Sequence, residues 1–351
     1  MRLHDRSCCI RIWCNKEINM TMTADQKLVV RFYETFGAKC RGRLVEILDG
    51  PVVCSFVFEP ESSASVSKII KAAKAENDVV LLPDNNHIII QIPKSNPKTI
   101  LFSDLIKTPE YEQAKGVIPI VFGVDTTGKT VMKDLTKLPH LLVTSHVNTD
   151  KSPCIECMLK SITTKMAPSD CQILILDPLC MSYDFLKDDP HLLYPIENDV
   201  NAGFKKFDII SKMIDDRYQT FIDNNVNNIA EYHEKTHRLD MPYIVIVIDE
   251  LSFYTHAHKR LTEKFIKTVG SKGRAAGIHL IAATRCPTKE VLSLAIKAFF
   301  SCQICFKARN AKDSVQMFGE TGAEKLQNIG DMLFGDAGRI PVRIHSAFVQ
   351  G

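Results

Sequence analysis

Residues 140–152 read His-Leu-Leu-Val-Thr-Ser-His-Val-Asn-Thr-Asp-Lys-Ser, and residues 243–250 read Tyr-Ile-Val-Ile-Val-Ile-Asp-Glu. Each opens as a short apolar run of strand length, without the polar alternation of a half-exposed strand, as expected for strands covered on both faces. The first run exits into a polar loop that ends in Lys151-Ser152, and Pro153 then starts a helical pattern, where proline is well tolerated. The second run exits into the acidic pair Asp249-Glu250. In an open α/β sheet, ligands bind beyond the carboxyl ends of the strands, so these two exits are where the chemistry is expected.

Working outward, apolar runs recur at 118–122, 172–176, 279–283 and 300–306. Helical stretches fall between most of them, at 153–166, 202–223, 257–270 and 289–298. This alternation predicts an α/β domain with a mainly parallel sheet over residues 116–351. Upstream, residues 23–115 read as a small α+β domain. Runs at 41–48 and 52–58 flank Asp49-Gly50-Pro51 and form a hairpin. Residues 62–75 carry Val66, Ile69, Ile70 and Ala73 at helical spacing, two short strands follow at 79–82 and 87–92, and 102–106 forms a short helix. Residues 1–22 show no period and are expected to be a loosely ordered leader.

Composition sets outer bounds. The chain has 351 residues, 45% apolar and 24% charged, as in ordinary globular proteins. A net charge of +3 means that any polyanion-binding surface must be local. No apolar run approaches the roughly 18 residues of a membrane span, and charges interrupt any signal-like segment at the start. The twelve cysteines fit a reducing, cytoplasmic setting. Two C-x-x-C pairs, Cys154/Cys157 and Cys302/Cys305, raise the idea of a zinc site. Both lie in apolar periodic segments, which favours buried core thiols.

A phosphate-binding loop follows a strand, reads G-x-x-x-x-G-K-[ST] and opens a helix. Here Ser145 and Asp150 stand at the two glycine positions, while Lys151 and Ser152 are retained. On this reading Ser145, His146, Val147, Asn148, Thr149, Asp150, Lys151 and Ser152 cradle the phosphates of ATP. Ser152 and Asp249 hold Mg²⁺, and Glu250 polarises the attacking water. Thr284, at the end of the 279–283 run, senses the terminal phosphate. The competing readings are a helix capped by Asp150 or Ser152, and a strand-end carboxylate pair facing solvent.

These segments, in this order, resemble the FtsK/SpoIIIE family of DNA translocases. Leu138 to Val143 is similar to that family's MPHLLVAG segment, and Asp177-Pro178 and Pro190 to Leu193 resemble IDPK and IPHLL. Arg217-Tyr218, Asn228 and Tyr232 match a helical region. Residues 274–279 read RAAGIH as the family does, and 322–326, 330–333 and 341–343 follow its C-terminal order. The resemblance covers roughly residues 25–351. It implies a RecA-like P-loop core behind a small α+β domain. It also implies an ATP- and Mg²⁺-dependent hexameric ring around double-stranded DNA, held largely through phosphates and used in chromosome segregation or DNA transfer.

The departures bear on turnover. Besides Ser145 and Asp150, Leu179 replaces a lysine, and Gln303 and Val315 stand where the family carries arginines. Arg285 is displaced from the family's ATQRP pattern. Three functions follow: a DNA-stimulated ATPase motor, a ring subunit that keeps the fold without hydrolysis, and a protein-secretion motor of related fold. For DNA contact the candidates are Lys272, Arg274, Lys307 and Arg309, with Lys267 and Lys312 beside them. The competing reading is a solvated basic face.

Overall fold

A computed structural model describes residues 24–37, 41–76, 78–84, 86–138, 140–146, 151–180, 182–238, 240–300, 302–327, 330–336 and 341–350. The expected leader, 1–22, lies outside the described residues. The chain divides into two compact units. One is drawn from residues 1–99, 124–129 and 325–327, the other from 100–123, 130–324 and 328–351.

The smaller unit is a four-stranded antiparallel sheet with helices Ala24–Phe32 and Ser63–Ala75. Its strands are β1 (Gly42–Asp49), β2 (Val53–Pro60), β3 (Val80–Asp84) and β4 (His87–Pro93), in the order β1-β2-β4-β3. Phe32, Phe36, Phe56, Ile69, Ile90 and Ile92 form the core, with the Phe32 and Phe56 rings stacked at 4.3 Å. Ser62 caps the second helix by accepting the Ser65 amide at 3.3 Å. Gly50 is required in the β1–β2 turn, because a Cβ there would lie 1.8 Å from the Thr126 carbonyl oxygen.

Among the described residues, the larger unit holds nine strands in one sheet. They are β5 (Pro119–Asp125), β6 (Thr130–Asp134), β7 (Leu141–Thr144), β8 (Cys171–Leu176), β9 (Tyr243–Ile248), β10 (Ile278–Thr284), β11 (Cys302–Phe306), β12 (Asp331–Asp336) and β13 (Val342–His345). The order is β6-β5-β13-β12-β11-β7-β10-β9-β8. From β11 to β8 the neighbours are parallel, whereas β12 pairs antiparallel with β11 and with β13. Successive side chains of a strand point to opposite faces. Leu141 and Val143 therefore pack with Ile155, Met158 and Ile162 of helix Ser152–Lys165. Leu142, Ile246 and Ile248 pack with Phe207, Ile210 and Phe265 of helices Val200–Asn224 and Leu251–Thr268. A layer on each face is why these strands read as unbroken apolar runs.

Three features differ from the sequence expectation. Strands β6, β12 and β13 are additional; each is short and broken by polar residues or glycine, so its pattern is weak. The helix expected at 289–298 contracts to Leu294–Lys297, capped by Ser293. Residues 100–115 cluster with the larger unit rather than with the smaller one. Their backbone is tied there: the Phe102 amide donates to the Phe348 carbonyl and the Phe348 amide to the Ile100 carbonyl, both at 2.9 Å.

Both cysteine pairs are buried in this unit, Cys154 and Cys157 on one helix and Cys302 and Cys305 on β11. The Cys154 sulfur lies 3.7 Å from Met332 Sδ, and burial pushes the thiol up to about 12. Among the described residues, no helix is long and apolar enough to cross a membrane.

Candidate functional site

The parallel register delivers three exits to one rim of the sheet. Thr144 of β7 pairs with Thr284 of β10, and Ala282 of β10 pairs with Ile248 of β9. Ser145, Thr284 and Asp249 therefore emerge side by side, and the Ser145 amide donates to the Thr284 carbonyl at 3.1 Å.

Lys151 occupies the N-cap position of helix Ser152–Lys165 and is fully buried. Its ammonium donates to Asp249 Oδ1 at 2.7 Å and to the Asp249 carbonyl oxygen at 2.6 Å. A lysine out of water is tolerated when its charge is neutralised and its hydrogens are bonded, and Asp249 supplies the charge and accepts two of the three hydrogens. Asp249 Oδ1 also accepts the Tyr183 hydroxyl at 3.0 Å. Burial, and then the neighbouring Asp249 charge, push the Tyr183 phenol well above its ordinary range, so it keeps its proton and donates. Asp249 Oδ2 is buried and finds no hydrogen-bond partner among the described residues, and the same holds for Ser145 Oγ.

Glu250 is only 3% exposed, which removes the reading of a solvent-facing pair. It caps helix Leu251–Thr268. Its Oε1 accepts the hydroxyls of Thr284 at 2.6 Å and Ser252 at 2.8 Å, and its Oε2 accepts the Arg285 amide at 2.8 Å. Ser152 Oγ meets the Ser182 hydroxyl at 3.0 Å. Ser182 and Tyr183 are carried on the turn after β8, where Asp177 accepts the amides of Leu179 at 3.2 Å and Ser182 at 3.3 Å.

Of the residues singled out in the sequence, Ser145, Lys151, Ser152, Asp249, Glu250 and Thr284 share this rim, and His146 directly follows Ser145. Val147, Asn148, Thr149 and Asp150 lie outside the described residues. The basic candidates are not gathered into one patch. Lys272 and Arg274 precede the start of β10, whereas Lys307 and Arg309 follow the end of β11, which runs parallel through β7 to the opposite edge of the sheet. Lys272 pairs with Asp215 at 3.0 Å and Arg309 with Asp313 at 2.8 Å. Sequence reasoning noted Asp177 only as part of a family-like segment, without a site role, and missed Ser182 and Tyr183. A signal existed, because they follow a strand end in the same parallel set, where ligand-facing residues concentrate.

The rim suits a triphosphate with a divalent cation. It offers a buried cation, an orphaned carboxylate oxygen beside it, and a serine hydroxyl at a helix start.

The model of the FtsK/SpoIIIE family matches residues 102–291. The DNA translocase FtsK of Rickettsia typhi is 29% identical over 356 residues, covering 90% of this chain and 48% of that protein. The DNA translocase FtsK of Clostridium acetobutylicum is 31% identical over 322 residues, covering 88% and 42%. The chain thus spans about half the length of the curated relatives it matches. Among solved structures, the pCW3 conjugation coupling protein TcpA, in a monomer form with ATPγS, has a TM-score of 0.59 at 20% identity, covering 91% of this chain and 92% of that one. The cytoplasmic domain of the Thermomonospora curvata type VII secretion ATPase EccC has a TM-score of 0.61 at 18% identity, covering 72% and 32%. At these identities the two structures speak for a shared α/β P-loop fold.

Proposed function

The chain belongs to the FtsK/SpoIIIE family, and on that premise we propose that it is the ATP-binding motor module of a double-stranded DNA translocase, acting in a homo-oligomeric ring in the cytoplasm. The single observation that carries this is the buried Lys151–Asp249 pair at 2.7 Å, beyond the carboxyl ends of β7 and β9, the two parallel strands that flank β10.

Lys151 is the phosphate-binding cation, held ready on Asp249 until a triphosphate draws it away. The loop from Ser145 to Asp150 supplies backbone donors for the phosphates. Ser152 and Asp249 would hold Mg²⁺, which neutralises phosphate charge and orients the transferring group. Glu250 orients and deprotonates the attacking water, and Thr284 couples Glu250 to the terminal phosphate. Duplex DNA is held through its phosphates, with Lys272, Arg274, Lys307 and Arg309 as candidate contacts.

A second reading, a ring subunit that binds nucleotide without turnover, is favoured by the closed set of donors on Glu250. Its Oε1 and Oε2 are already occupied by Thr284, Ser252 and the Arg285 amide.

Nucleotide binding and ATP turnover, each with and without duplex DNA, test both. The motor reading expects turnover that rises with DNA and falls about a hundredfold in Lys151→Ala, the scale for losing one preorganised donor to developing charge. Binding that depends on Lys151 without DNA-stimulated turnover selects the second reading. Absence of nucleotide binding overturns both.

A further inference from the structure

The turn after β8 touches both residues assigned to the cation. Ser182 Oγ reaches Ser152 Oγ at 3.0 Å, and the Tyr183 hydroxyl reaches Asp249 Oδ1 at 3.0 Å. The turn is built with care. Asp177 accepts two of its amides, and Cys180 and Tyr183 adopt left-handed backbone, at φ 53° and 82°. Such conformations in non-glycine residues cost energy and persist where the surroundings impose them. Tyr183 is only 2% exposed, so its ring is locked in place.

The arrival of nucleotide requires Lys151 to exchange partners. Lys151 is the cation paired with Asp249, and a triphosphate requires it. Once Lys151 leaves, Asp249 becomes a buried carboxylate stripped of its counter-ion, the situation that costs most in a protein interior. The Tyr183 hydroxyl remains on Oδ1, while Oδ2 has no partner among the described residues. Resting on the nucleotide reading above, we propose that Tyr183 is a positioning residue. It holds Asp249 by Oδ1 so that Oδ2 faces the divalent cation after Lys151 has moved to phosphate. Tyr183 acts through Asp249 and contacts neither phosphate nor water itself. Its loss weakens cation capture and leaves cation-free nucleotide contacts intact.

The test is a binding titration with a fluorescent ATP analogue on the full chain, performed at increasing Mg²⁺ and separately in EDTA. In Tyr183→Phe the Mg²⁺ midpoint rises about tenfold, the usual scale for losing a group that orients a metal ligand, while binding in EDTA is unchanged. An unchanged Mg²⁺ midpoint overturns the proposal. Equal losses with and without Mg²⁺ also overturn it, since they report general damage to the pocket. If wild type binds no nucleotide in either condition, the nucleotide reading fails and this one falls with it. Wild-type hydrogen exchange gives a second readout that needs no variant. Amides of 182–186 gain protection with ATP and Mg²⁺ together but not with ATP in EDTA; equal protection in both sinks the idea.

Discussion

At the residue scale, the site is a set of buried charges, each held by hydrogen-bond partners from strand ends, a turn or a helix start. Glu250 shows the principle. A carboxylate with so little exposure is stable there because the hydroxyls of Thr284 and Ser252 and the Arg285 amide point at it. Thr284→Val keeps the shape and removes the shortest of these bonds, at 2.6 Å. The variant is expected to lose about 1.5–3 kcal/mol of stability, the range for a hydrogen bond to a charged group, read from urea melts at neutral pH. An unchanged midpoint would mean that Glu250 finds another donor. Lys151, Ser152, Asp249 and Glu250 were legible because each sits at a recognisable spacing from a strand end. Tyr183 was less legible: it follows the β8 strand end, but at no spacing that separates it from a core tyrosine.

At the element scale, β7 and β10 are stitched by a histidine at the opposite end from the site. His140 Nδ1 accepts the Leu280 amide at 3.1 Å, so the folded state needs a neutral imidazole there. Burial lowers the His140 value from its ordinary 6.5 to about 4. A depressed histidine leaves stability intact above 6.5, where both states are neutral. Between 6.5 and 4 only the unfolded chain takes the proton, and stability drains away. The expected loss from this group is about 2 kcal/mol between pH 7 and pH 5, measured by denaturant melts at the two values. His140→Asn, whose side-chain oxygen can accept the same amide, should flatten this dependence; an equal slope in both proteins would assign it elsewhere. Helix and strand types in this part of the chain were legible from period alone. The short strands β6, β12 and β13 were not, since four to six residues carrying polar or glycine positions make too weak a pattern.

At the scale of the whole molecule, the large sheet is closed toward β5 by strands whose pairing includes a fully buried ion pair. Arg343 of β13 forks onto Asp331 of β12, Nε to Oδ1 at 2.9 Å and Nη2 to Oδ2 at 2.6 Å, and neither side chain is exposed. Burial alone would raise Asp331, but the Arg343 charge and its paired hydrogen bonds hold the carboxyl well below the usual range. Its contribution is therefore present above the unfolded carboxylate value and is lost as pH falls through that value toward the folded one. Arg343→Met takes the forked cation from buried Asp331, leaving His345 Nδ1 at 3.3 Å as its basic neighbour, and should cost about 3–5 kcal/mol, whereas Arg343→Met combined with Asp331→Leu recovers most of it. Guanidinium melts of the two variants decide the point, and a double variant no more stable than the single one would refute the account. The amino-acid sequence by itself determined the alternation of strands and helices, the two-layer burial of the central strands and the identity of the charged residues at their ends. Each of these is written in local period and spacing. Only the tertiary structure decided that β7 lies between β10 and β11, that the basic candidates separate to two edges, and that Tyr183 meets Asp249 across 66 residues of chain. Those facts depend on which distant segments become neighbours when their apolar faces are buried together, and local spacing carries no record of that choice.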